Sequence, residues 1–236
     1  MALLEVRDLA SGYGELQVLW GVDLGLDSGL LTSLVGSNGA GKTTLLRSIM
    51  GRLPLKEGTV VFKDEDVGGM SAHEKAGRGL ILVPEGRQLF TSMTVEENLE
   101  MGATVPRAAA KAKENREKVY ELFPRLKERA GQKAGTLSGG EQQMCAVARG
   151  IMSEPEILMV DELSLGLAPV LALNLFKALK LLREEGMTIL LVEQNVHLAL
   201  KISDYAYVLS EGRVSLHGTA AEVEGNQEVR KAYLGI

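Results

Sequence analysis

Between an apolar run, Leu30-Leu31-Thr32-Ser33-Leu34-Val35, and a helix-forming run, Leu45-Leu46-Arg47-Ser48-Ile49-Met50, lies Gly36-Ser37-Asn38-Gly39-Ala40-Gly41-Lys42-Thr43-Thr44. The spacing is G-x-x-x-x-G-K-T between a strand and a helix, the pattern of a phosphate-binding loop. No other stretch restricts the fold so strongly, because such a loop needs a buried strand to deliver it to the first turn of a helix. Gly36, Gly39 and Gly41 let the backbone curl so that successive N–H groups face one anion. The helix N-terminus adds positive potential beneath that anion. At these offsets Lys42 reaches the β- and γ-phosphates of a nucleotide, and the Thr43 hydroxyl is a ligand for Mg²⁺.

Two further stretches carry chemistry. Ile157-Leu158-Met159-Val160 reads as a central strand, and it ends in Asp161-Glu162. Ligands of open α/β sheets bind at the carboxyl ends of strands. Asp161 is placed to bind Mg²⁺, directly or through its waters, and Glu162 to orient and deprotonate an attacking water. Leu137-Ser138-Gly139-Gly140-Glu141-Gln142-Gln143 opens a helix. Ser138 and Glu141 have capping-box spacing, and Gly139 and Gly140 leave N–H groups open to an anion. Taken alone, that pattern describes a well-capped helix as readily as an anion site.

Around these stretches, residues 3–9 and 17–26 read as strands, with a turn at Ser11-Gly12-Tyr13-Gly14. Thr59-Val60-Val61-Phe62 completes a small antiparallel sheet. Gly51 is placed to end the helix after the loop. Capping boxes at Ser71–Glu74 and Thr94–Glu97 start helices, and Leu80-Ile81-Leu82-Val83 is a buried strand stopped by Pro84. Residues 107–130, rich in Ala, Lys, Glu and Arg, read as a charged helical insertion interrupted by Pro124, and 131–136 as a linker. Strand and helix patterns then resume, with a helix over 170–184, a buried strand over 187–192, a hairpin around Glu211-Gly212 and a C-terminal helix over 226–234. Buried strands alternating with helices imply a mainly parallel sheet covered on both faces.

The 236 residues carry a net charge of −5, which argues against a surface that coats nucleic acid. One cysteine, Cys145, leaves no internal disulfide and fits a small packed side chain. No apolar run approaches the roughly 20 residues of a membrane span. The start of the chain has charges where a signal peptide needs an apolar core. A cytoplasmic protein is the expectation, with any membrane role reached through a partner. His73, His197 and His217 lack metal-ligand spacing. Trp20 reads as a core residue.

Leu137-Ser138-Gly139-Gly140-Glu141-Gln142, the phosphate loop and Val160-Asp161-Glu162 together resemble the ATP-binding cassette family of transporter ATPases, over essentially the whole chain. The resemblance implies an α/β fold with a P-loop, RecA-like core, an N-terminal antiparallel β subdomain and an inserted helical subdomain. It divides one domain, 1–236, into a nucleotide-binding core (1–87 and 155–236) and a helical subdomain (88–154). It implies an ATPase using ATP and Mg²⁺. It implies that two cassettes pair head to tail, so that Ser138 and Gly140 act on the partner's γ-phosphate, with Gly139 and Glu141 in the same nucleotide-binding motif. Tyr13 matches the aromatic that stacks on adenine. Gln88-Leu89-Phe90 and Thr94 to Leu99 resemble the segment leading to the subdomain that grips a permease, so Glu85 to Asn98 is the expected docking groove. Pro84-Glu85-Gly86-Arg87, Ser164 to Pro169 and Val192-Glu193-Gln194-Asn195 resemble the ATPase subunits of branched-chain amino-acid importers. Urea and short-chain amide importers are close relatives. Such a subunit lies on the inner face of the membrane, pairs with a copy of itself or a paralogue, and serves a solute-binding protein indirectly.

The chain departs from the family pattern in four places. Glu85 replaces a glutamine associated with Mg²⁺ and water, and Gln194 replaces the switch histidine. Leu163 stands where proline is usual after the catalytic glutamate, and Ala168 where many members carry aspartate. Non-transport cassettes usually bring coiled coils, zinc modules or a second cassette, none of which is present. A regulatory module with little hydrolysis is opposed by intact Lys42, Asp161 and Glu162.

Overall fold

The computed structural model describes residues 2–234. Among these the strands are β1 (Ala2–Tyr13), β2 (Leu16–Asp27), β3 (Leu31–Val35), β4 (Leu55–Phe62), β5 (Glu65–Asp66), β6 (Leu80–Val83), β7 (Ile157–Asp161), β8 (Thr188–Glu193), β9 (Tyr205–Ser210) and β10 (Arg213–Thr219). The helices are α1 (Lys42–Ile49), α2 (Ala72–Gly77), α3 (Val95–Gly102), α4 (Pro106–Ala109), α5 (Ala112–Leu122), α6 (Pro124–Glu128), α7 (Gly139–Met152), α8 (Pro169–Glu184), α9 (Val196–Ile202), α10 (Ala220–Gly225) and α11 (Gln227–Val229).

A six-stranded sheet in the order β10-β9-β3-β8-β7-β6 forms the centre. Its neighbours pair in parallel except β9 and β10, which form the antiparallel hairpin. Strands β3, β7 and β8 are buried at every position, as strands covered on both faces must be. Their alternation sorts side chains into two cores. Leu34, Met159, Leu190 and Val192 face α1 and the first two strands. Val35, Leu158, Val160, Ile189 and Leu191 face α7 and α8. The second sheet, order β2-β1-β4-β5, is four-stranded and antiparallel, and it closes over α1.

The helical insertion runs through α3–α7, and Pro124 occupies the first turn of α6, where its missing N–H costs nothing. Both capping boxes form, Ser71 with Glu74 and Thr94 with Glu97. No helix among the described residues is long and apolar enough to cross a membrane.

Local expectations are corrected at three places. The predicted turn at residues 11–14 is strand as far as Tyr13, with the turn at Gly14-Glu15. Partners on both sides, Leu19 across from Ser11 on β2 and Leu55 on β4, outweigh the local turn chemistry, and register shifts absorb the misfit. Trp20 is not core: it lies on edge strand β2, 43% exposed, beneath the Arg213 guanidinium at 5.9 Å. The C-terminal helix forms over nearly its expected span, but only Gln227–Val229 is α-helical and Arg230–Leu234 continues it as a π-helical turn.

Candidate active site

The parallel order β3-β8-β7-β6 brings the carboxyl ends of four strands side by side. In register, Val35 lies across from Glu193, Val192 from Asp161, and Val160 from Val83. The phosphate loop, Gln194 and Glu85 follow β3, β8 and β6, and Asp161 ends β7 with Glu162 directly after it. Stretches far apart in the chain therefore share one edge, as open α/β sheets arrange their ligand sites. Together they wall a cleft of about 440 Å³, lined by Asn38, Gly39, Gly41, Lys42, Thr43, Thr44, Glu85, Glu162 and Gln194, and by the apolar side chains of Val18 and Leu165.

The loop owes its shape to its glycines. Gly39 and Gly41 have φ of 82° and 106°, which side chains rarely tolerate. A Cβ at Gly36 would run into the Leu209 carbonyl. Gly41 caps α1 without a side-chain acceptor, so the first N–H groups of the helix remain open to an anion. Ala40 is a packed residue whose carbonyl accepts from Gly212 N at 2.9 Å. Gly36 and Ser37 contribute carbonyls: Lys42 Nζ donates to them at 2.9 and 3.2 Å. The same ammonium, 5% exposed, pairs with Glu162 Oε1 at 3.2 Å.

Asp161 ends β7 almost fully buried, and Thr43 Oγ1 donates to its Oδ1 at 3.4 Å. Burial pushes its carboxyl up to about 6; Glu162 and Glu85 add to the rise, and Thr43 and Lys42 oppose it. Glu162 has φ 52°, and its N–H donates to Val192 O at 2.9 Å. The donor set of a hydroxyl and a buried, under-compensated carboxylate suits a hard cation. No group of three or more His, Cys, Asp or Glu among the described residues makes a closed metal cage. Mg²⁺ bound with phosphates needs only one or two protein oxygens, so the residues present fit it.

The Leu137–Gln143 stretch lies elsewhere. Ser138 Oγ accepts from Glu141 N at 3.4 Å, and Ser138 N donates to Glu141 Oε2 at 2.9 Å, completing the box at the head of α7. Burial would raise the Glu141 carboxyl, but Ser138 and Arg129, at 2.7 Å, outweigh it and hold it below the usual range. Gly140 packs on Leu171 of α8, and Gly139 lies beside the Arg87 guanidinium. None of Ser138, Gly139, Gly140 and Glu141 lines the cleft. Tyr13 is also outside its wall, 43% exposed, with its phenol accepting from Arg47 Nη1 at 3.0 Å.

The family model described as ABC transporter matches residues 19–164, more than half of the chain. The chain belongs to the ABC transporter family. This cassette is 44% identical, over 99% of its length and 100% of the other, to a high-affinity branched-chain amino acid transport ATP-binding protein, BraG, of Pseudomonas aeruginosa. It is 39% identical, over 99% of both chains, to a probable branched-chain amino acid transport ATP-binding protein, LivF, of Archaeoglobus fulgidus. Among solved structures it resembles the ADP conformation of an ATP-binding cassette of an ABC transporter, with TM-score 0.86, 28% identity and full coverage of both chains.

Residue patterns overlooked some of the supports of this cassette. Glu193 is a buried carboxylate that accepts from both the N–H and the hydroxyl of Ser164. Asn98, fully buried, accepts from Phe90 N and donates to the carbonyls of Phe90 and Thr94, fastening the segment ahead of α3. An Asn four residues past a capping Thr was the only available signal. Cys145 is packed as expected, with burial pushing its thiol up to about 11 and making it inert.

Proposed function

We propose that the cassette binds and hydrolyses ATP to drive an importer of branched-chain amino acids. The observation that carries the reading is end-to-end similarity to branched-chain amino acid transport ATP-binding proteins, in a chain whose cleft assembles Lys42, Thr43 and Glu162, with Asp161 buried behind Thr43. The loop N–H groups receive the phosphates, and Lys42 exchanges the Gly36 and Ser37 carbonyls for phosphate oxygens. That exchange also releases Glu162 from its ion pair, so its carboxylate takes the proton of a water attacking the γ-phosphorus while the bond to the bridging oxygen breaks and ADP leaves with that oxygen. Gln194 donates an amide hydrogen bond to the γ-phosphate, though it cannot become cationic as histidine can. Thr43 and Asp161, with Glu85 close by, would hold Mg²⁺, which neutralises charge on the phosphate oxygens. Tyr13 stacks on adenine, and Arg47 orients its ring.

Because Ser138–Glu141 stand outside their own cleft, they serve the phosphates of a second cassette paired head to tail, a copy of this chain or a paralogue. The helical subdomain, 88–154, docks on membrane permease subunits through Glu85–Asn98, and the core comprises 1–87 and 155–236. The cassette thus sits on the inner face of the membrane, and a solute-binding protein delivers the amino acid from outside. The test has two arms. Purified protein should hydrolyse ATP with Mg²⁺, and Lys42→Ala should not. Cells lacking the chain should lose high-affinity uptake of labelled leucine, isoleucine and valine, restored by wild type and not by Glu162→Gln. Unchanged uptake on deletion would refute the substrate; hydrolysis by Lys42→Ala would refute the site.

A further inference from the structure

We propose that Glu193 is a positioning residue for hydrolysis, bracing the turn that carries Glu162 against the turn that carries Gln194. Glu193 is the last residue of β8 and 1% exposed. Its two carboxylate oxygens are divided between the backbone and side chain of one residue: Ser164 N donates to Oε1 at 2.8 Å and Ser164 Oγ to Oε2 at 3.0 Å. Asn195 N donates to the same Oε2 at 3.5 Å. Ser164 stands two residues beyond Glu162, and Asn195 one beyond Gln194. One side chain therefore holds both loops at a fixed spacing.

The neighbouring geometry shows why a brace is needed. Glu162 sits at φ 52°, a left-handed conformation that L side chains adopt at a cost and keep only when their surroundings enforce it. The enforcement comes from the end of β8. The Val192 carbonyl holds Glu162 N at 2.9 Å, and the Glu193 carboxylate holds Ser164. Leu165, the next residue, lines the cleft, so the same clamp shapes that wall. A carboxylate in this position is costly: burial raises its pKa, and the charge of Glu162 raises it further. A packed apolar side chain would avoid that cost but leave Ser164 N–H without its partner.

Glu193 touches neither nucleotide nor water in this scheme, so its loss should appear in turnover and not in binding. The experiment compares steady-state ATPase kinetics, and equilibrium binding of a non-hydrolysable ATP analogue with Mg²⁺, for wild type, Glu193→Ala, Glu193→Gln, Ser164→Ala and the Glu193→Ala/Ser164→Ala double variant. Misplacing a catalytic group by about 1 Å costs on the order of 100-fold, so Glu193→Ala is expected to lower kcat by about 10–100-fold. KM and analogue affinity should stay within about 2-fold, the mark of an interaction used only in the transition state. Glu193→Gln keeps an oxygen for Ser164 N–H and should recover kcat to within about 3-fold of wild type. The double variant should be no slower than Glu193→Ala, because the two residues act as one unit. Wild-type kcat in Glu193→Ala, fully additive losses in the double variant, or no recovery with Gln would each overturn the proposal. If Glu193→Ala does not fold, Ser164→Ala decides the matter: a lowered kcat with unchanged analogue binding supports the brace, and wild-type kcat removes it.

Discussion

Asp161 is a residue whose neighbours determine its acidity. Burial raises its carboxyl from 3.8 to about 6, and Thr43 gives only one long hydrogen bond in return. An acid with a higher pKa folded than unfolded favours the native state while protonated. That contribution is complete below 3.8 and is lost as pH rises through about 6. Above that window the ionised carboxylate costs the metal-free protein on the order of 2–3 kcal/mol. Asp161→Asn should therefore melt at a higher temperature than wild type in EDTA at about pH 7.5, and the gain should shrink at about pH 5. A melting difference that does not vary with pH would show that burial is not the cause. Tyr13 makes a second prediction at this scale. A stacking ring contributes about 1 kcal/mol, so Tyr13→Ala should weaken ATP binding by about 5-fold in a titration, while Tyr13→Phe should stay near wild type. Equal affinity in all three proteins would remove the ring from the site.

The segment between β6 and α3 is irregular backbone fastened to its surroundings by side chains at both ends. It leaves β6 through Pro84, and φ is positive at Gly86, Arg87 and Gln88 in succession. Arg149 of α7 donates to the Arg87 carbonyl at 3.4 Å and lies over the Phe90 ring at 5.4 Å. Arg87 Nη1 donates to Gln142 Oε1 at 2.9 Å, which ties the segment to the head of α7. Asn98 secures the other end with three hydrogen bonds at 2.9–3.0 Å. Replacing Asn98 by Ala leaves a buried N–H and two carbonyls without these partners, a loss of about 2–3 kcal/mol. Asn98→Ala should lower the denaturant midpoint accordingly, and proteolysis should nick residues 86–94 first. Cleavage starting elsewhere would mean that Asn98 supports the fold generally and this segment no more than others.

For the whole molecule, the separation between the cleft and the head of α7 predicts assembly. Glu162→Gln should bind ATP and turn over about 10²–10⁴ times more slowly, as expected for loss of a general base. In gel filtration with ATP and Mg²⁺ this variant should elute as a dimer, and as a monomer without nucleotide. A monomer under both conditions would mean that the chain closes only against a different cassette. Gln194 bears on the same choice. If this chain supplies the slower site of a mixed pair, Gln194→His should raise its ATPase rate several-fold and Gln194→Ala should lower it; equal rates would leave Glu162 as the sole carrier of the chemistry.

The phosphate loop, the Asp161-Glu162 pair and the apolar strands were legible in the sequence because each depends on local spacing. Three glycines at fixed offsets allow one curled backbone, and four apolar residues in a row suit a strand covered on both faces. The capping boxes at Ser71, Thr94 and Ser138 were readable for the same reason, since a Glu three residues on can reach back only to its own cap. The extension of β1 to Tyr13 and the exposure of Trp20 depend on pairing with strands distant in the chain, about which a local pattern carries no information. The order β3-β8-β7-β6, which puts Gln194 between the phosphate loop and Glu162, belongs to the tertiary structure alone. So does the clamp of Glu193 on Ser164: a carboxylate beside a serine in space is invisible when 28 residues intervene, and only the parallel pairing of β7 with β8 makes them neighbours.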